Sequence, residues 1–439
     1  MLTELDSLVV GPVMSPVDPR LEGEVAGFDT SLTHSPDIVV GASTAGDVVE
    51  TVRWARRHGL RVHVQGTGHG THEPVTSGVL VTTWRLDRVR VDRPAATVTV
   101  GAGARWSDVI DAAAPIGLAP IAPSEPSVGV VGFLLGGGLG PFARSHGFGS
   151  DRLEAATVVT GRGEVIEASA EGDAELLWAL RGGGHGLGVV TEMRLRLAPV
   201  PALFGGYLAF TEEHVAAVVR GWLAWTRTAE PGVTTNLTIL HHPDDGAFSV
   251  RRSAMLALLF VAYPGEADAG ERLAAPLRAL APATADTVGP MALTDLASMH
   301  GDPMEPGPSW VRGTMLGSAD DDLADAWLAQ VGPGARHPFS GTQLRHVGGA
   351  TEVDVPEGSA VAGRGARYTA LLMGQDPELF PTMPAAASTV LDALDPWRTE
   401  ELNPNFAGGA EGVWSPDVAR RLAAVRRRMD PDGLFAAAR

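Results

Sequence analysis

Cysteine is absent from the 439 residues. That absence excludes disulfides, thiolate metal sites and a cysteine nucleophile. Tyrosine is scarce, with Tyr207, Tyr263 and Tyr368 the only three, so tyrosinate chemistry has few places to reside. No stretch approaches the roughly 18 unbroken apolar residues of a spanning helix, and the opening MLTELDSLVV lacks a basic region before an apolar run. The expectation is a soluble, cytoplasmic protein with no membrane contact. Positive charge is also short. Against 52 acidic residues stand 34 Lys and Arg, a formal −18, which disfavours a surface built to neutralise nucleic-acid phosphates. Metal-ligand spacing is missing too, since the pair His241 and His242 precedes Pro243 and reads as a solvated loop. No Ser-His-Asp or paired-carboxylate arrangement is defensible from spacing.

What is present is apolar periodicity enough for two lobes, the prior for a chain of this length. AGDVVETVRWARRHG puts Val48, Val52 and Ala55 on one helical face, with Ser43 or Thr44 as cap and Gly59 as stop. LRVHVQ then alternates Leu60, Val62 and Val64 against Arg61, His63 and Gln65, predicting a strand with one buried face. Strands follow at 79–84, 88–91 and 97–103, a helix at 106–116, and a hairpin around Gly161 and Gly163. In VVTEMRLRL, Val189, Thr191, Met193, Leu195 and Leu197 fall on one face. After Pro199 and Pro201 the texture changes. Strands at LTILHH, AMLALLFVAY, GTQLRHVGGA and ARYTALLMG alternate with helices near 268–280, 321–331 and 385–394, which predicts an antiparallel sheet with helices on one side. A closing helix carries Val418, Leu422, Val425 and Met429 behind a Ser415 cap and Pro416.

Glycine supplies the chemical clue. It clusters at 66–70, 129–140 and 182–188, each time beside an apolar strand, where backbone N–H groups can approach a diphosphate because no side chain intervenes. A dinucleotide fingerprint fails at the first cluster: its third glycine would fall on Thr71, and Pro74 blocks the helix that should follow. GGGLG lacks the Lys-Ser/Thr ending of a Walker loop.

PSVGVVGFLLGGGLGPFARSHGFGSDRLEAATVVTGRGEV and ELLWALRGGGHGLGVVTEMRLRL resemble the FAD-binding lobe of the vanillyl-alcohol oxidase and p-cresol methylhydroxylase superfamily. Within it the sequence is most similar to the bacterial berberine-bridge-enzyme-like oxidases. The likeness runs from about Asp37 to Pro199 and resumes at TQLRHVGGA and from NPNFAGG to DPDGLF. The resemblance implies an α+β, two-lobed FAD-binding fold of the vanillyl-alcohol oxidase type. Its FAD lobe would span 1–200, its substrate lobe 201–394 as an antiparallel sheet covered by helices on one side, and 395–439 would return to the FAD lobe.

The implied activity, in a monomer or homodimer, is oxidation of a small natural-product intermediate by hydride transfer to flavin, with O2 as electron acceptor; a dehydrogenase, a carbohydrate or amine oxidase, and a flavoprotein guiding a non-redox cyclisation are the alternatives. The loop Gln65, Gly66, Thr67, Gly68, His69 and Gly70 matches the family's pyrophosphate wrap, whose histidine commonly bonds to the flavin; His69 is linked covalently or hydrogen-bonded near the phosphates. Ser127, Val128, Gly129 and Gly132 match the second cofactor loop, and Gly137, Gly138, Leu139 and Gly140 the segment after it, Leu139 also reading as core. Asp151 matches a polar residue after an aromatic-glycine turn. Gly188, Val189 and Val190 match the strand start along the adenine side, and Asn405 and Phe406 the loop that returns to the flavin. Two departures stand out. Where many relatives carry a second linking cysteine this chain has Glu125, which excludes a bicovalent flavin; where many carry a tyrosine near the base it has Asn403, an amide that cannot accept a proton at neutral pH. The base is then His346, Tyr368, another residue or none at all, and strand alternation lets only one of Arg345 and His346 face the flavin. Trp222, Trp225 and Trp310 either line an apolar pocket or pack.

Overall fold

The computed structural model describes residues 2–241, 255–299, 305–409 and 412–435. Thr44 caps the helix Ala45–His58 by accepting the Asp47 N–H, and Asp47 reciprocates toward the Thr44 backbone. Gly59, at φ 65°, ends it. The helix covers a four-stranded sheet ordered Val13–Met14, Ile38–Gly41, Val79–Thr82, Val62–Gln65, the last three strands parallel. Alternation fails in the edge strand. Val62 packs with Val48, Val52 and Leu434, but Val64 lies beyond that cover and is 45% exposed, whereas Gln65 is 5% exposed. Gln65 is buried because the segment before it in sequence folds over the strand's other side, where Gln65 Nε2 donates to the Val25 carbonyl at 2.9 Å.

A second, antiparallel sheet runs Val89–Asp92, Thr97–Gly101, Val189–Arg196, Leu153–Val159, Val165–Ser169. Thr191 is an extra residue here, since Val190 pairs with Val158 and Glu192 with Thr157. This bulge reverses the pattern on one side of it. Val189 therefore joins the core under Ala45–His58, and Val190 joins Met193 and Leu195 in the neighbouring core, against the single shared face that alternation predicts. The helix Pro416–Met429 closes that second core with Leu422, Val425 and Met429. Ser415 occupies its cap position without a side-chain cap bond.

The third sheet is eight-stranded and antiparallel, in the order Ala285–Asp286, Leu203–Thr211, Met255–Tyr263, Thr234–His241, Gly341–His346, Tyr368–Gly374, Trp310–Leu316, with Gly289–Met291 also paired to Leu203–Thr211. The strands Leu203–Thr211 and Trp310–Leu316 and the helix Glu212–Thr226 are additions to the sequence reading. Helices Glu212–Thr226, Ala267–Arg278, Asp321–Val331 and Met383–Ala393 all pack one face, through Val219, Trp222, Leu277, Trp327 and Val390 against Leu237, Leu259, Leu344 and Leu372. Trp222 is core, its Nε1 donating to Thr235 Oγ1 at 2.9 Å, and Trp310 stacks on Phe339. The opposite face meets the glycine-rich segments. Leu139, Phe148, Met315, Val347 and Val361 form one cluster there, and the buried Arg144 donates to the carbonyls of Val233 and Val347 at 2.8 and 2.6 Å. Desolvation lowers the Arg144 pKa to about 10. Among the described residues no helix is long and apolar enough to cross a membrane and no metal-ligating group of three forms; His242 lies outside them.

Candidate active site

The loop 66–70 leaves the edge strand with its amides uncommitted. Its carbonyls accept bonds, Thr67 from Phe28 N–H at 3.0 Å and Gly68 from Thr71 N–H, yet among the described residues no protein acceptor takes the N–H of any residue from Gly66 to Gly70. Gly68 is required by geometry: φ is 76°, and a Cβ would stand 2.6 Å from the Gly27 Cα. Thr67 Oγ1 accepts the Gly129 N–H at 3.2 Å, which binds this loop to the next. At Gly70 and Gly132 a Cβ would meet nothing within 4 Å, so both open onto free space.

His69 stands where the two loops meet. Its ring stacks on Phe28 at 3.9 Å, its Nδ1 is 2.9 Å from Thr67 Oγ1, and its Nε2 is 3.1 Å from Ser127 Oγ. Ser127 in turn donates to Glu125 Oε2 at 2.8 Å. Desolvation, with a smaller push from the Arg105 charge, lowers the His69 pKa to about 4, so the imidazole is neutral at physiological pH.

The other segments converge on the same place. Gly184 N–H donates to the Leu135 carbonyl at 2.8 Å, tying the third glycine cluster to the helix Val130–Leu135, and no protein acceptor takes the amides of residues 185–188 among the described residues. The Gly137 and Gly138 carbonyls accept from Ser150 and Gly149. Gly140 leaves no room for a side chain, with the Ala122 carbonyl 1.9 Å from its Cβ position. Asn405 Nδ2 donates to the Phe133 carbonyl at 2.9 Å, and its Oδ1 fills the space a side chain on Gly136 would need. Asn403 is 2% exposed; its Oδ1 accepts the Asn405 N–H, while its Nδ2 has no protein partner and lies near Gly137.

Not every nominated residue joins this cradle. Leu139, Val189 and Val190 are core, Val128 packs against a core edge, and Gly188 is confined by Val158 and Val159. Asp151 pairs with Arg364 at 2.5 Å and accepts the Phe148 N–H, a structural role. The two candidate bases face the wrong way. His346 and Tyr368 are directly paired across neighbouring strands, stack at 5.5 Å, and belong to the helix-covered face, where the Tyr368 hydroxyl is 2.6 Å from Thr226 Oγ1. Desolvation lowers the His346 pKa to about 2 and raises that of Tyr368. Neither is placed or poised to take a proton from a molecule at the cradle.

Arg345 has the other orientation, its guanidinium 4.8 Å from the Phe406 ring centre. It donates to Gln343, whose Nε2 donates to Thr238 Oγ1 at 2.7 Å, and Asn236 is paired directly opposite Arg345. A narrow cavity lies here between Leu139–Gly140 and Asn236, Phe260 and Arg345. The alternation in TTNLTIL and TQLRH signals this polar row; Phe28 had no comparable signal.

Unpaired amides at the ends of apolar strands, open space over glycine and a neutral imidazole between two of the loops fit a diphosphate-bearing cofactor. An FAD binding domain family matches residues 36–169. The chain is 25% identical to (R)-6-hydroxynicotine oxidase of Paenarthrobacter nicotinovorans, covering 97% of this chain and 95% of that protein. It is 35% identical to the FAD-linked oxidoreductase easE of Trichophyton verrucosum (strain HKI 0517), over 48% of this chain and 36% of that one. The solved 6-hydroxy-D-nicotine oxidase of Arthrobacter nicotinovorans superposes with a TM-score of 0.84 at 23% identity, covering 97% and 96% of the two chains. BBE-like 1 of Physcomitrella patens does so at 0.86 and 17%, covering 100% and 98%. The domain match and these relatives therefore define an FAD-dependent oxidoreductase. The chain carries an FAD binding domain and has the fold of the hydroxynicotine oxidase and BBE-like structures.

Proposed function

We propose that this protein is a cytoplasmic oxidase, monomeric or homodimeric, that removes two electrons from a small natural-product intermediate and passes them to O2, giving hydrogen peroxide, with FAD tethered at His69. The observation that carries the reading is the neutral His69 flanked by amides that have no protein acceptor among the described residues. Bound FAD supplies the two-electron acceptor that the side chains lack. The loops 66–70 and 185–187 bind its diphosphate through N–H groups. Asn403 offers its unpaired Nδ2 as a donor, and Asn236 and Arg345 line the substrate side, with Gln343 accepting from Arg345.

Substrate chemistry follows from the bases that turned away. Oxidising an alcohol requires a group to accept the hydroxyl proton, and neither His346, Tyr368 nor Asn403 supplies one at the cradle. An amine bound as its free base needs no such group, because the nitrogen lone pair drives the transfer. A C–N bond therefore suits the site better than C–OH, in keeping with the amine-bearing substrate named for the hydroxynicotine oxidase relative.

The experiment is acid precipitation of the purified enzyme, followed by anaerobic mixing with paired amines and alcohols and readmission of air. Colour should stay with the wild-type pellet and wash out of His69→Ala. Amines should bleach the flavin and air should restore it within one turnover. Colour lost from wild type ends the tether; bleaching by alcohols alone ends the amine reading; reoxidation slow beside turnover makes the enzyme a dehydrogenase.

A further inference from the structure

The protons around His69 have one consistent arrangement. Glu125 accepts the Ser127 N–H at both carboxylate oxygens, at 3.0 and 2.9 Å. Ser127 has a single hydroxyl proton, and a carboxylate 2.8 Å away takes it in preference to a neutral imidazole, because a charge-assisted hydrogen bond is the stronger. Ser127 Oγ is then an acceptor toward His69, so Nε2, 3.1 Å from it, carries the ring proton. The far side of the ring agrees. Thr67 Oγ1 already accepts the Gly129 N–H, which leaves its own proton to donate to His69 Nδ1 at 2.9 Å. Phe28, stacked on the imidazole, fixes the ring plane.

We propose that Glu125, acting through Ser127, is a positioning residue that holds His69 as the Nε2–H tautomer and makes Nδ1 the nitrogen whose lone pair is offered at the cofactor cradle. In that tautomer the Nε2 electron pair belongs to the aromatic ring. The Nδ1 pair is held only by a hydroxyl that frees it by turning. The position that carries a second linking cysteine in many similar sequences thus acts here on the histidine. The proposal rests on the reading that His69 faces the flavin, but its test is separate from the tether's.

Nitrogen NMR of the full chain, produced without riboflavin and carrying isotope-labelled histidine, reads the tautomer directly, with His69 assigned by its loss in His69→Ala. A protonated Nε2 and an unprotonated Nδ1 are expected in the wild type; the reverse overturns the proposal whatever the acid wash finds. In Glu125→Gln the amide can donate to Ser127, which turns the Ser127 proton toward Nε2, and the ring proton should move to Nδ1. An unchanged tautomer in Glu125→Gln also overturns it. When FAD is added to the riboflavin-free protein, acid-stable flavin should form about tenfold more slowly in Glu125→Gln, the loss of one charge-assisted bond. Should the variant fail to fold, the wild-type spectrum decides alone.

Discussion

His69, half-buried, and His346, buried, are both neutral, and they do opposite things. His69 sits between loops with a partner on each ring nitrogen. His346 sits inside a sheet, behind helices, with Nδ1 unpartnered. A low pKa alone thus marks desolvation, and only the neighbours tell a site from a core. Around His69, among the described residues, the loop amides have no protein acceptor and hydroxyls meet both ring nitrogens; around His346 stand the Tyr368 ring and the nearby Arg144 and Arg367 charges.

Three changes sharpen that contrast. The largest effect is expected from Gly68→Ala, since a side chain there must hold φ at 76° and displace Gly27. Roughly 1–2 kcal/mol is lost to the left-handed backbone alone, and flavin per polypeptide, read from the absorbance ratio, should fall severalfold along with the melting temperature. Full flavin content in a folded variant would separate this loop from the cofactor.

His346 gives the next effect, through acid sensitivity. Above pH 6.5 both folded and unfolded states are neutral at this residue. Below it the unfolded chain takes up the proton while the folded state resists until about pH 2, so stability falls as pH falls. Between pH 7 and 5 that amounts to about 2 kcal/mol. His346→Leu should flatten the decline in denaturant midpoint over that window, and His69, lowered to about 4, leaves a residual slope of the same sign. An unchanged slope would mean that solvent reaches His346.

Tyr368→Phe should have the smallest effect. Removing the hydroxyl bonded to Thr226 costs about 1 kcal/mol of stability, and kcat should stay within twofold. A hundredfold loss of kcat in a well-folded variant would return Tyr368 to the substrate side.

The glycine loops were legible because residue type itself reports the constraint, as at Gly68 and Gly140, where no other side chain fits. Caps were legible for the same local reason, as at Thr44 and Gly59. Facing was not. Whether His346 or Arg345 looks toward the glycine loops depends on pairing with Tyr368 and on helices docked from elsewhere in the chain. One bulge at Thr191 separated Val189 from its expected face. Gly205 and Gly206 interrupt the alternation that would have revealed Leu203–Thr211, and the exchange of roles between Val64 and Gln65 comes from what covers an edge strand, information absent from the strand itself.

The clasp between Asn405 and the Phe133 carbonyl bears on biosynthesis. Residues 403–406 and the helix Pro416–Met429 leave the ribosome after every strand of the three sheets. A nascent polypeptide thus lacks both the amide that secures Phe133 and the apolar stripe that seals the lobe behind it.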